Sequence, residues 1–228
     1  MVIIMFLNLF VASLPAFIFI ISFALLDKKF TRKHWLTLLG VLLVGAIGSY
    51  ICYRFEMHFG SYFKKVKDSN YFEVLFYALF GVAIFEEGYK WIVSLGTTFF
   101  DKHLRKYSVL IYTVFASIGF AWFENIAYFA LKYGIRTSIS RMFTAFPNHI
   151  CNAIWMGYLL TLYSKCKTKK KWLYLFLSLV VPILIHGVYN SFLYQGNIKL
   201  MNYHAIYVLI MYTATVVLMI RIIKEPKK

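Results

Sequence analysis

Seven apolar stretches, each close to the length needed to cross a bilayer, limit what this chain can become. They run over residues 3–26, 35–53, 72–100, 107–131, 142–164, 172–194 and 202–223. A helix needs about 20 predominantly apolar residues to span the hydrocarbon core. In that solvent each segment must satisfy its own backbone N–H and C=O groups, which leaves no place for an open sheet. The expectation is an all-α polytopic membrane protein of about seven transmembrane helices. The third stretch is overlong and should tilt or extend into the interface. Composition agrees: 61% of residues are hydrophobic and 15% charged, and the mean hydropathy is +0.67. The first stretch has no basic residue before Asp27, and its apolar run is about twice that of a signal peptide, so it reads as a permanent span.

A net charge of +16 invites a nucleic-acid reading, but the distribution excludes it. Lys and Arg lie in short runs between the apolar stretches, where they meet lipid headgroups. No soluble module is present to place an element in a groove. With the N-terminus outside, the inner side carries Lys28, Lys29, Arg32, Lys33, Lys102, Arg105, Lys106, the run "KCKTKKK" at 165–171 and the tail from Arg221. The outer side carries Arg54, Lys64, Lys65, Lys67, Lys132, Arg136, Arg141 and Lys199. Sixteen basic residues against eight favour the N-terminus outside and the C-terminus cytoplasmic. The cysteines, Cys52, Cys151 and Cys166, form no C-x-x-C pair, so neither a disulfide framework nor a thiolate zinc site is indicated. No internal repeat or linker divides the chain, which reads as one membrane domain over 1–228 with a core at about 72–194.

The ionisable residues within the stretches carry the functional signal. An ionisable group at the middle of a membrane helix costs about 2.5–3.5 kcal/mol on insertion scales, so such residues face an interior and serve a purpose. They are Glu86, Glu87 and Lys90 in the third stretch, and Glu124 with Asn125 in the fourth. The fifth adds Asn148, His149 and Asn152, and the sixth His186 and Asn190. The first, second and seventh have no comparable cluster. At 1.5 Å per residue, Glu124, His149 and His186 each lie roughly 10–12 Å inward from the outer ends of their antiparallel segments. They converge on one level in the outer half of the membrane. Lys90 lies three and four residues beyond the two glutamates, so it neutralises one and leaves the other to accept a proton. His186 and Asn190 share a helix face. Pro182, four residues before His186, removes a backbone donor, and Pro147 marks an irregular entry to the His149 helix.

These residues form a recognisable series: "EEGYK" at 86–90, "FENIAY" at 123–128, "HICNAIWMG" at 149–157 and "HGVYN" at 186–190. The series resembles the PrsW family of bacterial intramembrane proteases, related to the type II CAAX-prenyl endopeptidases and the CPBP proteins. The resemblance covers residues 80–195 and implies a glutamate-dependent protease. It carries the paired glutamates onto Glu86 and Glu87 and the second acidic motif onto Glu124. The later polar positions fall on His149, His186 and Asn190. The CAAX branch has a histidine where this chain has Glu124, and the last motif often ends in Asp where this chain has Asn190. Whether Glu124 or His149 partners the glutamate pair therefore stays open. The implied activity is site-1 cleavage of a single-span, membrane-anchored anti-sigma factor near the extracytoplasmic face.

The chemistry expected is hydrolysis by a water that Glu86 or Glu87 activates, oriented with Glu124 and His149, while His186 and Asn190 donate to the oxyanion. Lys90, Asn125 and Asn152 support the site. No cofactor is expected. The rival within the enzyme class is a zinc site on Glu87, Glu124, His149 and His186, although no H-E-x-x-H is present. The rival outside it is a proton- or cation-coupled transporter, against which the missing internal symmetry counts. An inactive peptide-binding scaffold is a third possibility. Tyr89 and Tyr128 read as packing residues. Glu73 reads as solvated, and His34, His58, His103 and His204 as surface groups.

Overall fold

The computed structural model describes residues 2–26, 31–60, 70–100, 107–195 and 198–224. The described residues are almost entirely helical and contain no strand, so the chain is an all-α, multi-pass membrane protein. Helix α1 covers Val2–Leu26 and α2 Arg32–Gly60. Helix α3 (Tyr71–Tyr77) runs through a π-helical segment, Ala78–Ala83, into α4 (Ile84–Phe100). Helix α5 (Ser108–Glu124) runs through a second π segment, Asn125–Ala130, into the short α6 (Leu131–Tyr133). The chain continues through α7 (Ile135–Phe143), α8 (Ala145–Lys165), α9 (Lys170–Tyr194) and α10 (Ile198–Lys224).

All seven expected stretches are helical. Five helices, Ile3–Leu25, His34–Phe59, Ser108–Ala127, Lys170–Tyr194 and Asn202–Lys224, are long and apolar enough to cross a membrane. The other two stretches, 71–100 and 145–165, hold Glu86, Glu87, Lys90, Asn148, His149 and Asn152, all buried. Their polarity faces the interior. Side chains such as Phe6, Ile18, Leu43, Leu209 and Val217 are exposed on α1, α2 and α10. Those faces suit lipid, which is as apolar as they are.

The bundle is held by close backbone approach. A Cβ at Gly45 would overlap the Ala116 carbonyl, and one at Gly119 the Leu42 carbonyl. Two glycines, one on each helix, thus let α2 and α5 touch backbone to backbone, the small-residue packing of membrane helices. Around that seam Leu38, Leu42, Tyr112, Phe115 and Phe146 form the main apolar core. At the other end of α5, Gly157 of α8 sits against Leu110 and Thr113.

Several expectations change here. The second stretch runs as helix to Gly60 rather than ending at 53, which carries Glu56 along its face. Residues 135–141, read as outer loop, belong to α7, and Arg141 on it is largely buried. His204 is no surface group: its ring packs 4.8 Å from that of Tyr189. Pro182 does not interrupt α9, which stays helical through it. The break beside Pro147 lies at Thr144, between α7 and α8. Lys28, Lys29, Lys64, Lys65, Lys67, Lys102, His103, Arg105, Lys106, Lys227 and Lys228 lie outside the described residues, as does the side chain of Tyr128.

Candidate active site

The acid-bearing motifs each adjoin a π-helical segment. One precedes α4, which opens with Glu86 and Glu87 in its first turn. The other begins just after Glu124, the last residue of α5. A π segment adds one residue to a turn and re-aims the side chains beyond it, a feature frequent at functional sites. Neither sequence stretch announces it.

The structure gathers side chains of the four helices around Lys90 and Glu87. The Lys90 ammonium donates to Glu87 Oε1 at 2.6 Å and to His149 Nδ1 at 3.2 Å. The ammonium also rests over the Phe120 ring, 4.5 Å from its centroid. Lys90 has no lone pair to offer as an ammonium, so His149 Nδ1 must accept and Nε2 carries the proton. That N–H donates to Glu124 Oε2 at 2.9 Å. Arg141 Nη2 lies 2.9 Å from the same oxygen, and Arg141 Nε donates to Asn125 Oδ1 at 2.7 Å. His149 thus bridges Lys90 and Glu124, and Glu124 pairs with Arg141 and His149.

Glu87 is saturated. Its Oε1 receives Lys90, His186 Nδ1 at 2.6 Å and Asn152 Nδ2 at 3.4 Å. Because Glu87 takes Nδ1 of His186, the imidazole has only Nε2 left for other chemistry. The His149 and His186 rings meet edge to face, 5.3 Å apart. Glu86 is different. Its Oε2 is buried yet has no hydrogen-bond partner among the described residues, and Lys90 Nζ and His186 Nδ1 each stand off at 3.8 Å.

A cavity of about 440 Å³ opens onto this cluster, within the roughly 300–1,000 Å³ usual for ligand sites. Glu86, Glu124, His149, His186 and Asn190 line it, as do Asn148, Arg141 and Glu56. Among the described residues, Glu87 and Lys90 lie behind its wall. Of the expected site residues, the structure brings Glu86, Glu124, His149, His186 and Asn190 to one surface, with Glu87, Lys90 and Asn152 beneath them and Asn125 beyond Arg141. Tyr89 is structural, donating to the Val44 carbonyl at 3.0 Å, and Glu73 is exposed.

Sequence reasoning missed Glu56 and Arg141, and it left Asn148 unassigned. Glu56 had a signal: it is one of only nine acidic residues in the chain, three positions past an apolar stretch. Arg141 had none, because an arginine in a short polar segment reads as a topology charge.

The donor set also bears on a metal. Glu86, Glu87, His149 and His186 each offer one ligand atom, all within 4.8 Å of one another. Two imidazoles and two carboxylates match zinc in kind and number. The set differs from the expected one by Glu86 in place of Glu124. Lys90 is bonded to two of the four, so an ion there would take the place of its ammonium.

A helical bundle that buries acids and imidazoles from four helices against one cavity is the architecture of an intramembrane enzyme. Comparison with known proteins gives the class its family. The profile of the PrsW family intramembrane metalloproteases matches residues 33–219. The chain is 32% identical over 199 residues to the protease PrsW of Oceanobacillus iheyensis, covering 82% of this chain and 83% of that one. It is 29% identical over 173 residues to protease PrsW of Clostridioides difficile (72% and 70% covered). To protease PrsW of Bacillus subtilis it is 31% identical over 163 residues (68% and 66% covered). No solved structure matches. The chain belongs to the PrsW family of intramembrane proteases, and its substrates are accordingly membrane proteins.

Proposed function

We propose that the chain hydrolyses a peptide bond of a single-span membrane protein with Glu86 as general base. The observation that carries this is the asymmetry of the pair: Glu86 lines the cavity and keeps one buried oxygen with no hydrogen-bond partner among the described residues, whereas Glu87 lies behind the wall with one oxygen taken by three donors. In this reading the Glu86 carboxylate takes a proton from a water in the cavity as the water oxygen bonds to the scissile carbonyl carbon. Asn190 donates its amide N–H to the oxyanion, and His186, on the same face of α9 with Nδ1–H held by Glu87, joins it through Nε2–H as an imidazolium. The C–N bond breaks and Glu86 returns the proton to the leaving amine. Glu87 holds His186, Lys90 fixes His149, and His149 with Arg141 fixes Glu124 at the cavity wall.

The substrate we favour is an anti-sigma factor cut near the extracytoplasmic face, with the N-terminus outside and the C-terminus in the cytoplasm. The motif series supports the substrate, and the distribution of basic residues supports the orientation. The test is co-expression with a single-span anti-sigma reporter. Wild type releases the extracytoplasmic fragment and E86Q does not; equal release by both removes Glu86 from the chemistry. Cysteine labelling at each terminus of intact cells checks the orientation.

The four-donor group favours one second reading, a metal-assisted form. Glu86, Glu87, His149 and His186 would hold the ion, which would supply Lewis acidity to the carbonyl or the water. Metal content of the purified protein, and the effect of a chelator on cleavage, separate the two forms.

A further inference from the structure

We propose that Asn148 on α8 and Ser49 on α2 form a subsite that binds the main chain of the substrate. The proposal rests on the reading of the cavity as the place of peptide hydrolysis, whichever glutamate is the base. Both residues line that cavity, and both are buried, Asn148 at 1% and Ser49 at 2% exposure. Asn148 Oδ1 and Ser49 Oγ have no hydrogen-bond partner among the described residues.

Other buried polar groups of the bundle are not left in this state. Ser94, Thr113, Thr161 and Thr215 each donate to the carbonyl four residues back, at 2.7–2.9 Å. A helix offers Ser49 the same bond, and it is not taken. Asn125 accepts from Arg141 Nε and Asn152 donates to Glu87 Oε1. The Asn148 oxygen, one turn before Asn152, has no such neighbour. A buried polar atom without a partner is costly, and its persistence calls for a reason.

The missing partners have a definite chemistry. Asn148 and Ser49 are neutral, and Glu124 and Arg141, the charged pair on the same wall, already hold each other. A spanning substrate satisfies its own backbone as a helix, and hydrolysis requires a stretch of that helix to open. Opening frees N–H and C=O groups away from bulk water, where each is expensive to leave unpaired. Asn148 Oδ1 accepts such an N–H, and the Ser49 hydroxyl donates to such a carbonyl. The torsions that orient a carboxamide and a hydroxyl have more than one accessible setting, so both groups can turn onto a peptide from the wall. The subsite reads main chain and not side chains, so it serves any sequence that unwinds.

The experiment uses a fluorescent peptide carrying the span and outer flank of the anti-sigma reporter. Around the cut, one backbone amide at a time is replaced by an ester, which lacks the N–H. Kd is measured in E86Q, and kcat and KM in the chain with Glu86 intact. N148L is expected to weaken binding about 2- to 10-fold, the worth of one neutral hydrogen bond, with kcat little changed. One ester position should weaken binding by a similar factor when Asn148 is present and cost nothing further in N148L. The Tm of N148L should equal or exceed that of its parent, because an apolar group of similar shape replaces an unpaired one. S49A removes a single oxygen and should raise Kd and KM without lowering Tm, and it carries the test if N148L fails to accumulate. Unchanged Kd in either variant overturns the two-residue subsite. So do ester effects that are equal with and without Asn148 at every position, the result expected if the two groups only hold water. If E86Q cleaves at the wild-type rate, the reading of Glu86 fails and the ester comparison stands as KM. If E86Q is inactive and its Kd is indifferent to N148L and S49A, only the subsite falls. A wild-type chain that neither binds nor cleaves the peptide overturns both.

Discussion

Glu86 and Glu87 are neighbours in sequence, on one turn of one helix, and they live in different environments. Successive residues of an α-helix point about 100° apart. That rotation sends Glu87 into the packed floor of the site, where a lysine, an imidazole and an amide converge on a single oxygen. It sends Glu86 to the cavity wall, where one oxygen has no hydrogen bond among the described residues. The floor is built like a structural ion-pair network, closed and compensated. The wall keeps a buried acceptor without a donor, which costs about 1–3 kcal/mol and persists in folded proteins where function requires it.

The sharpest way to break that contrast is to neutralise each acid. E86Q should lower the cleavage rate by about 100- to 10,000-fold, the range of a lost general base, and leave thermal stability near wild type. Normal cleavage by E86Q would erase the distinction. On the floor, K90M should cost about 3–5 kcal/mol, because it strands buried charge on Glu87. Thermal unfolding in detergent measures this, and a stable K90M would show that the floor is not held by its ion pair. Asn190 tests the wall from the opposite helix: N190L should slow turnover by about 100- to 1,000-fold with little effect on KM. A change confined to KM would make Asn190 a substrate-binding group instead.

Smaller effects sharpen the boundary between the two regions. R141M removes the ion pair that steadies Glu124. The loss should appear as a roughly tenfold drop in kcat/KM, because Glu124 stands at the wall and not in the floor. Y89F removes a hydrogen bond to Val44 that involves neither carboxylate. It should cost about 1 kcal/mol of stability and no activity, and an inactive Y89F would extend the site toward α2.

The transmembrane architecture was legible residue by residue. Hydropathy is a local property, and all seven stretches are helical, six of them within a few residues of their expected ends. The polar inventory was legible for the same reason, since a charge in an apolar run stands out wherever it points. Glu56 and Arg141 were not. Each sits at a segment end, where a charge is cheap and signals nothing, and each gains meaning only from the helix packed against it. The π segments were hidden too, because their single extra residue alters aim without altering composition.

The order of apolar runs and buried charges therefore set the class of the molecule unaided: lipid leaves the backbone no alternative to helices, and charge at depth demands company. Tertiary packing alone decided which companion each charge received. Glu87 differs from Glu86 by nothing in its chemistry, only by the neighbours that α2, α8 and α9 bring to one side of the helix and withhold from the other.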